Sequence, residues 1–511
     1  MTDDAGSYVG RLSPDGNWRW DGSAWTPAAA GSAQPMPAWA NLRVTVQASW
    51  WAVAAVIVAG IAADQALRVG AFGLGATLSL ACLALALILV GRVQRIEARV
   101  LAGAAVVFAA WLSARASPWL LWPDLAAGFI LLATAASLAQ RGSLLNMGMA
   151  DAAARSFQAM LHWIAGAPWA MRPLTRMRTS FAGVAPIARG LLIATPVALV
   201  LAALLASADP VFASFLNFNL DFGRLLTDAF FVLAGALAMA GLLRLAAAEP
   251  VDQVDGPTWR LGAVEGLVVL AVLDSIFAAF AIAQAMAAAG VAGDTLRSAG
   301  VTYSEYARSG FFQLLWVAGI TLVLLVIFSR ITALNQSSSR RAFIVLAEIA
   351  IALTLLVVAV ASMRLSLYES AYGFTMLRLY SHLFAGWIAV VFLLLAADLG
   401  GVLRRRRWFV GATAVTALAL LMALNAVNPE AIVAKLNIDH AASTGKLDPQ
   451  YLAELSGDAV PTLLSSRAEL APAMWTQIQD AVCAGPHAYS PAPAAFNWAE
   501  ADAVSARQKG C

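Results

Sequence analysis

The chain of 511 residues is 61% hydrophobic and only 12% charged, and its formal net charge is +3. Soluble proteins are about half apolar and about a quarter charged, so this chain has too few charges to cover a large soluble fold. We therefore expect most of it to lie in a lipid bilayer. The small net charge, with no basic block interleaved with aromatic residues, argues against a nucleic-acid partner. The composition predicts an all-α polytopic membrane protein.

Residues 1–40 are polar and lack the basic-then-apolar pattern of a signal peptide. Within them, turn-forming Pro14-Asp15-Gly16 and Asp21-Gly22 separate positions occupied by Trp18, Trp20 and Trp25. This alternation predicts a miniature hairpin held by stacked indoles. The pattern resembles the small Trp-rich modules, W-D-G-x-x-W, at the ends of actinobacterial membrane proteins.

Eleven apolar stretches are long enough to cross about 30 Å of hydrocarbon. They are predicted over residues 47–66, 70–91, 98–115, 118–139, 183–207, 225–246, 261–286, 309–329, 342–363, 374–398 and 407–427. Four belong to a first group within residues 41–140 and seven to a second group within residues 183–427. Because eleven is odd, the two ends of the chain are expected on opposite sides of the membrane.

The arginines indicate which side is which. Successive segments between the spans lie on alternate sides of the membrane. The segments on the side of the amino terminus carry twenty-one arginines, and the connections on the opposite side carry seven. Since basic residues accumulate in cytoplasmic loops, this asymmetry predicts a cytoplasmic amino terminus and an extracytoplasmic carboxy terminus. The preference for Arg over Lys and the frequent Ala indicate a bacterial coding bias, hence a bacterial plasma membrane.

Two segments outside the spans have helical character. Residues 141–182 form a cytoplasmic connection with an amphipathic stretch in which Phe157 and Trp163 oppose Arg155, and it is expected to lie along the membrane surface. Residues 428–511 form an extracytoplasmic tail of short helices. Cys483 and Cys511 are the two cysteines of this tail, and they either pair in an oxidising compartment or leave Cys511 free at the chain end.

Two carboxylates lie deepest within the predicted spans, Asp274 and Glu348. Charged groups at membrane depth are costly, so they often mark proton paths. Alternatively, each is neutralised by a neighbouring polar group and holds two helices together. No metal-ligand spacing, nucleotide loop or cofactor motif is present, which argues against metal or cofactor chemistry.

A polar patch is predicted on the outer face, where three connections carry Tyr, Glu and Arg. Arginines could clamp an anionic group there while tyrosines donate hydroxyls, although an aromatic belt with rim ion pairs would have the same composition. The candidates are Asp209, Tyr303, Glu305, Tyr306, Arg308, Arg364, Tyr368, Glu369, Tyr372 and Arg378.

Five segments carry a family resemblance: Ala208-Asp209-Pro210-Val211-Phe212, the segment from Tyr303 to Phe312, the segment from Tyr368 to Arg378, the segment 428–464 and Phe496-Asn497-Trp498. Together they resemble a bacterial family of multi-pass membrane proteins, domain of unknown function 4173. The resemblance covers roughly residues 190–510. It implies an integral membrane protein of unassigned function and supplies no catalytic residues.

Three functional interpretations follow. The first is a non-enzymatic scaffold, sensor or regulator whose partner is an envelope protein or a small molecule. The second is a proton-coupled secondary transporter that uses Asp274 and Glu348. The third is an envelope enzyme acting on a lipid-linked substrate, which the short first outer loop, Asp64 to Gly70, argues against.

Overall fold

A computed structural model describes residues 42–68, 72–176, 222–289, 310–403, 407–484 and 492–511. Within 222–289, residues 252–253 and 255–258 are not described. Parts of 11–27 and isolated positions between 190 and 209 are also included.

The amino-terminal segment forms the predicted hairpin. Strand β1, Trp18–Trp20, pairs antiparallel with strand β2, Trp25–Pro27, and Trp20 lies opposite Trp25. The two indole rings are 5.5 Å apart and tilted, as expected for a hairpin held by aromatic contact. Trp18 and Trp25 stay about half exposed.

Long helices make up the body of the molecule, which is an all-α polytopic membrane protein. Nine helices of the described ranges are long and apolar enough to cross a membrane, and α2 is equally apolar but slightly shorter. These ten helices are α1 (Trp50–Leu67), α2 (Leu74–Val90), α3 (Ile96–Ala114), α4 (Pro118–Ser137), α8 (Phe222–Ala246), α9 (Ala263–Ala288), α10 (Phe311–Ile331), α11 (Ser337–Tyr372), α12 (Met376–Leu399) and α13 (Phe409–Val427). The described residues between α4 and α8 include three shorter helices: α5 (Met149–Ile164), α6 (Gly166–Ala170) and α7 (Arg172–Arg176).

Each of the ten helices coincides with one of the predicted spans. The remaining predicted span, 183–207, lies outside the described ranges apart from isolated positions. The largest difference in length is at α11, which has 36 residues where hydropathy predicted 342–363. Its extra turns are polar, and they carry the helix beyond the apolar segment at both ends.

The ends of the helices form two faces. We call one the tail face; it contains the ends of α1, α3, α9, α11 and α13 and the starts of the other five helices, and the carboxy-terminal tail packs against it. We call the opposite one the basic face, where α5 and α6 lie against α8. The chain ends α4 at the basic face and begins α8 at the tail face, as the predicted eleven-span topology requires.

Among the described residues, the bundle has two large apolar cores. One is built by α1–α4 and α8 and is rich in alanine; the other is built by α9–α12 with Phe409 of α13. In the first core, α1 and α8 approach closely at glycines. A Cβ on Gly235 would lie 2.5 Å from the Ala59 carbonyl oxygen, so only glycine permits this backbone contact.

Helix α5 is amphipathic, as its sequence predicts, and it packs against the bundle with its polar side. Arg155 and His162 are buried, whereas Trp163 is 57% and Ile164 74% exposed. The buried Arg155 guanidinium donates to the Ser137 carbonyl oxygen at the end of α4, at 2.8 Å. An apolar surface that faces away from the protein suits lipid rather than water.

The tail folds into a small helical unit with its own apolar core. It contains α14 (Pro429–Thr444), α15 (Pro449–Ala453), α16 (Val460–Ser465), α17 (Pro472–Cys483) and α18 (Trp498–Gly510). Cys483 at the end of α17 faces Cys511, with the Cα atoms 5.9 Å apart and the sulfurs at bonding distance.

Candidate functional site at the tail face

The tail and the bundle meet at the turn between α3 and α4. Asp458 of the tail is buried, and its Oδ2 accepts hydrogen bonds from the backbone N–H groups of Ala116 and Ser117, at 2.7 and 2.8 Å. Its Oδ1 lies 3.3 Å from the Arg115 guanidinium. The carboxylate thus satisfies the backbone donors before α4, where a negative charge is favoured by the helix dipole.

Glu430, at the start of α14, forms the second half of this junction. Its Oε1 accepts from the Ser117 hydroxyl at 2.5 Å, and its Oε2 accepts from the backbone N–H and hydroxyl of Ser456 at 2.7 and 2.6 Å. Burial raises the pKa of Glu430; the bonds from Ser117 and Ser456 oppose this rise and the charge of Asp458 adds to it. Two carboxylates in one desolvated junction favour the protonated form of one of them.

Two buried asparagine side chains bond neighbouring helix ends next to this junction. The Asn425 side chain donates to Asp124 Oδ1 of α4 at 2.8 Å, and the Asn425 carbonyl accepts from Arg115 Nε at 2.8 Å. Asn497, which caps α18, donates to the carbonyl oxygens of Leu112 and Arg115 at the end of α3. The end of α13 is therefore bonded to α4 and to the turn after α3, and the end of α3 is bonded to the tail.

Part of the predicted outer patch lies at the ends of α11 and α12. Glu369 is buried and its Oε2 lies 3.0 Å from His382 Nε2. One turn or more away, Arg364 is buried and donates to Gln284 Oε1 of α9 at 3.3 Å. These contacts join neighbouring helices at the tail face.

Arg378 and the two tyrosines of the patch form a separate stack. The Arg378 guanidinium lies 4.3 Å from the centre of the Tyr368 ring, and that ring lies 4.9 Å from the ring of Tyr372. Arg378 also donates to the Gly373 carbonyl oxygen. Nearby, the Tyr451 hydroxyl of the tail accepts from the Met376 N–H at 2.7 Å, so the stack borders the tail junction.

Of the other predicted patch residues, the structure describes Asp209. Asp209 is exposed, and its N–H donates to the Leu205 carbonyl oxygen at 3.0 Å. Tyr303, Glu305, Tyr306 and Arg308 lie outside the described ranges. The patch therefore remains a prediction for which the structure gives only the α11–α12 portion.

The two deep carboxylates differ in their surroundings. Asp274 of α9 is buried, and neither of its carboxylate oxygens has a hydrogen-bond partner among the described residues. Glu348 of α11 is only partly buried. Two other acidic groups of the spans form ion pairs near the helix ends: Asp228 with Arg68 at 3.2 Å and Asp398 with Arg330 at 3.1 Å.

Sequence reasoning missed the residues of the junction itself. Arg115 was counted only as a basic residue, and Ser117, Glu430 and Asp458 were not singled out. One local signal was available: Asn428-Pro429-Glu430 begins a helix, with Asn428 as its cap and proline in the first turn. Nothing local indicated that Glu430 would meet Ser117, which lies 313 residues earlier.

The chemistry of this site is that of a fixed junction. The carboxylates of Glu430 and Asp458 are both buried and both bonded to the turn before α4. Within the described ranges, no three His, Cys, Asp or Glu side chains are grouped as metal ligands would be. The arrangement holds two parts of one chain together.

Comparisons with known proteins give a family for this chain but no assigned function. No match was found among curated proteins, and none among solved structures. The resemblance to domain of unknown function 4173 and the identity of the Trp-rich module stay predictions. The profile of another family matches residues 101–466, more than two thirds of the chain, and this range includes Arg115, Ser117, Glu430 and Asp458. The chain belongs to the family described as Domain of unknown function (DUF4153).

Proposed function

We propose that this protein is a non-enzymatic membrane scaffold or sensor, in which the transmembrane bundle holds the carboxy-terminal tail in a fixed position outside the cytoplasm. The observation that carries this proposal is the junction of Asp458 and Glu430 with the turn between α3 and α4. A tail that only needed anchoring would require one tether, whereas this tail is bonded to α3, α12 and the start of α4.

Rigid attachment matters because it couples the two parts. A ligand that binds the tail and prefers one position of it would change the free energy of the helix ends by its differential affinity. Hydrogen-bonded buried networks favour one arrangement, and each carboxylate oxygen of Asp458 and Glu430 has a bonding partner here. The junction therefore suits presentation of a surface to an envelope partner, or transmission of its binding to the bundle.

The test compares the intact junction with a loosened one. The double variant Ser117→Ala with Glu430→Gln removes bonds between tail and bundle without leaving a buried charge. Proximity labelling from a tag on the tail should give a stoichiometric envelope partner for the wild type and lose it for the double variant. Expression, thermal unfolding and helix content serve as folding controls. Wild-type protein without any stoichiometric partner, or full labelling by the loosened variant, would contradict the proposal.

The sidedness of this function rests on the arginine distribution. We propose a cytoplasmic amino terminus and an external tail in a bacterial plasma membrane. Reporter fusions at Pro37 and after Cys511 should be active on opposite sides of the membrane. Activity of both fusions on the same side would contradict both the odd number of spans and the external position of the tail.

Proton-coupled transport is a second candidate, supported by Asp274. A buried carboxylate without a bonding partner is expensive in a membrane and is often part of a proton path. If Asp274 carries protons, Asp274→Asn should abolish proton uptake by proteoliposomes under an imposed gradient, with Asp398→Asn as the matched control. Equal proton uptake by wild type and Asp274→Asn would exclude this role.

A further inference from the structure

A polar cavity opens at the basic face, away from the tail junction. Its volume is about 420 Å³, and it lies between the start of α1 and the ends of α2, α4 and α8. The floor is apolar and includes Ala52, Leu243 and the indole of Trp169, all buried. The rim is polar and includes Gln47, Gln94 and Gln140.

The charge of this cavity is positive. Two arginines, Arg92 and Arg141, belong to its lining, and none of the described lining residues is acidic. Arg92 is exposed and forms no ion pair with any carboxylate in the described part of the chain. The carbonyl ends of α2, α4 and α8 contribute partial negative charges, but a helix end carries about half a charge, and turns that follow these helices bond part of the carbonyls. A second cation would be repelled by the guanidinium groups.

The backbone at Arg92 is held in an uncommon conformation. Its φ is 53°, in the left-handed region, where glycine or asparagine is the usual residue after a helix end. Gly91 precedes it and ends α2. An arginine at a position that favours glycine carries a conformational cost, and such costs are concentrated at functional positions.

The surroundings of the cavity are suited to acyl chains. Leu89, one residue before the lining residue Val90, is 67% exposed, and Trp51, one residue before Ala52, is 76% exposed. Both lie on helices that cross the membrane. A ligand bound in the cavity could therefore keep a charged group at the rim and leave an apolar part along α1 and α2.

We propose that this cavity binds the phosphate-bearing head group of an anionic phospholipid, with Arg92 and Arg141 contacting the phosphate and Gln94 bonding its polar substituent. Basic pockets between transmembrane helices commonly bind such head groups. Arginine matches phosphate oxygens with two parallel donors, and the buried floor excludes water from one side of the contact. Soluble phosphate offers the same chemistry without the acyl chains.

The experiment uses the full chain reconstituted into phosphatidylcholine nanodiscs with and without phosphatidylglycerol. Retained phosphatidylglycerol is counted by native mass spectrometry, and unfolding is followed by a thermal shift. Arg92→Asn is the main variant because asparagine tolerates the left-handed conformation, so its unfolding temperature in phosphatidylcholine should be no lower than that of the wild type. Arg95→Asn, an exposed arginine outside the cavity, is the matched control.

We expect wild type and Arg95→Asn to retain phosphatidylglycerol equally. Arg92→Asn and Arg141→Gln should each weaken retention about fivefold, as expected for one basic side chain at an anionic lipid. Equal retention by Arg92→Asn and Arg95→Asn would overturn the site. If inorganic phosphate in neutral detergent raises the unfolding temperature while phosphatidylglycerol is not preferred over phosphatidylcholine, the ligand is soluble and the lipid assignment is wrong.

Discussion

The two ends of the helix bundle are built differently. At the tail face, the spaces between helix ends are filled by the tail, and the carboxylates of Glu430 and Asp458 accept hydrogen bonds from the bundle. At the basic face, a cavity of about 420 Å³ stays open and its rim carries Arg92 and Arg141. The two carboxylates at the tail face are bonded within the chain, whereas Arg92 at the basic face is exposed and has no carboxylate partner among the described residues.

This difference separates structural from binding polar groups. A buried carboxylate with three protein donors has little capacity left for a ligand, so its removal should affect folding first. An exposed guanidinium without a carboxylate partner contributes little to folding and is available to an anion. Substitutions at the tail face should therefore mainly lower stability, whereas substitutions at the basic face should mainly weaken anion binding.

The largest effect is expected for Asp458→Ala. The substitution leaves the N–H groups of Ala116 and Ser117 and the Arg115 guanidinium without their acceptor. Removing one member of a buried pair costs about 3–5 kcal/mol. Denaturant titration should show this loss as a lower midpoint for unfolding of the tail. In a separate assay, trypsin should cleave the tail earlier at Lys446 and Arg467. Asp480→Ala, at an exposed carboxylate of the same tail, should change stability by less than about 0.5 kcal/mol. Similar losses for both variants would contradict a specific junction.

The second effect concerns the covalent closure of the tail. If Cys483 and Cys511 pair, the bond closes a loop of 28 residues, which in a chain-entropy model stabilises the tail by about 3–4 kcal/mol. Cys511→Ser should lower tail stability by that amount, whereas Cys82→Ser, at the free cysteine of α2, should leave the tail unchanged. Non-reducing mass spectrometry of the extracted protein checks the pairing directly. Two free thiols in the oxidised tail would show that Cys511 is unpaired.

A smaller effect should follow pH through Glu430. Its pKa is raised in the folded protein, chiefly by burial, so the folded state binds a proton more tightly than the unfolded state does. The stabilisation is complete below the ordinary pKa of a carboxyl group and is lost as pH rises through the raised value. Tail attachment should therefore weaken as pH rises through this window. Glu430→Gln should flatten the dependence; an unchanged pH profile in that variant would assign it to another group.

The spans could be predicted from sequence because membrane crossing is a local property: about 20 apolar residues suffice. The ends of α11 could not, because its polar flanks are helical beyond the apolar core. The tail junction was missed for a different reason. Arg115 and Asp458 are 343 residues apart, and no periodicity or motif links such positions. The packing of α5 could not be predicted either. An amphipathic sequence defines a polar and an apolar side of the helix but does not show which of them contacts the bundle.

The smallest effect on stability is expected at the basic face, for substitution of Arg92 by glycine. Arg92 occupies a left-handed conformation that costs a non-glycine residue about 1–2 kcal/mol, and glycine would remove this cost while adding about 0.5–1 kcal/mol of unfolded-chain entropy. Arg92→Gly should therefore stabilise the protein slightly, by up to about 1 kcal/mol. Arg95, which precedes α3 with a φ of −75°, gains no such relief, so Arg95→Gly should be neutral or destabilising. Thermal unfolding in phosphatidylcholine nanodiscs compares the two. Because the two arginines lie three residues apart in one connection, a difference of sign between them would show that Arg92 is held at a cost to folding. If both glycine variants lowered the unfolding temperature equally, the conformation of Arg92 would carry no cost, and the argument for its functional retention would fail.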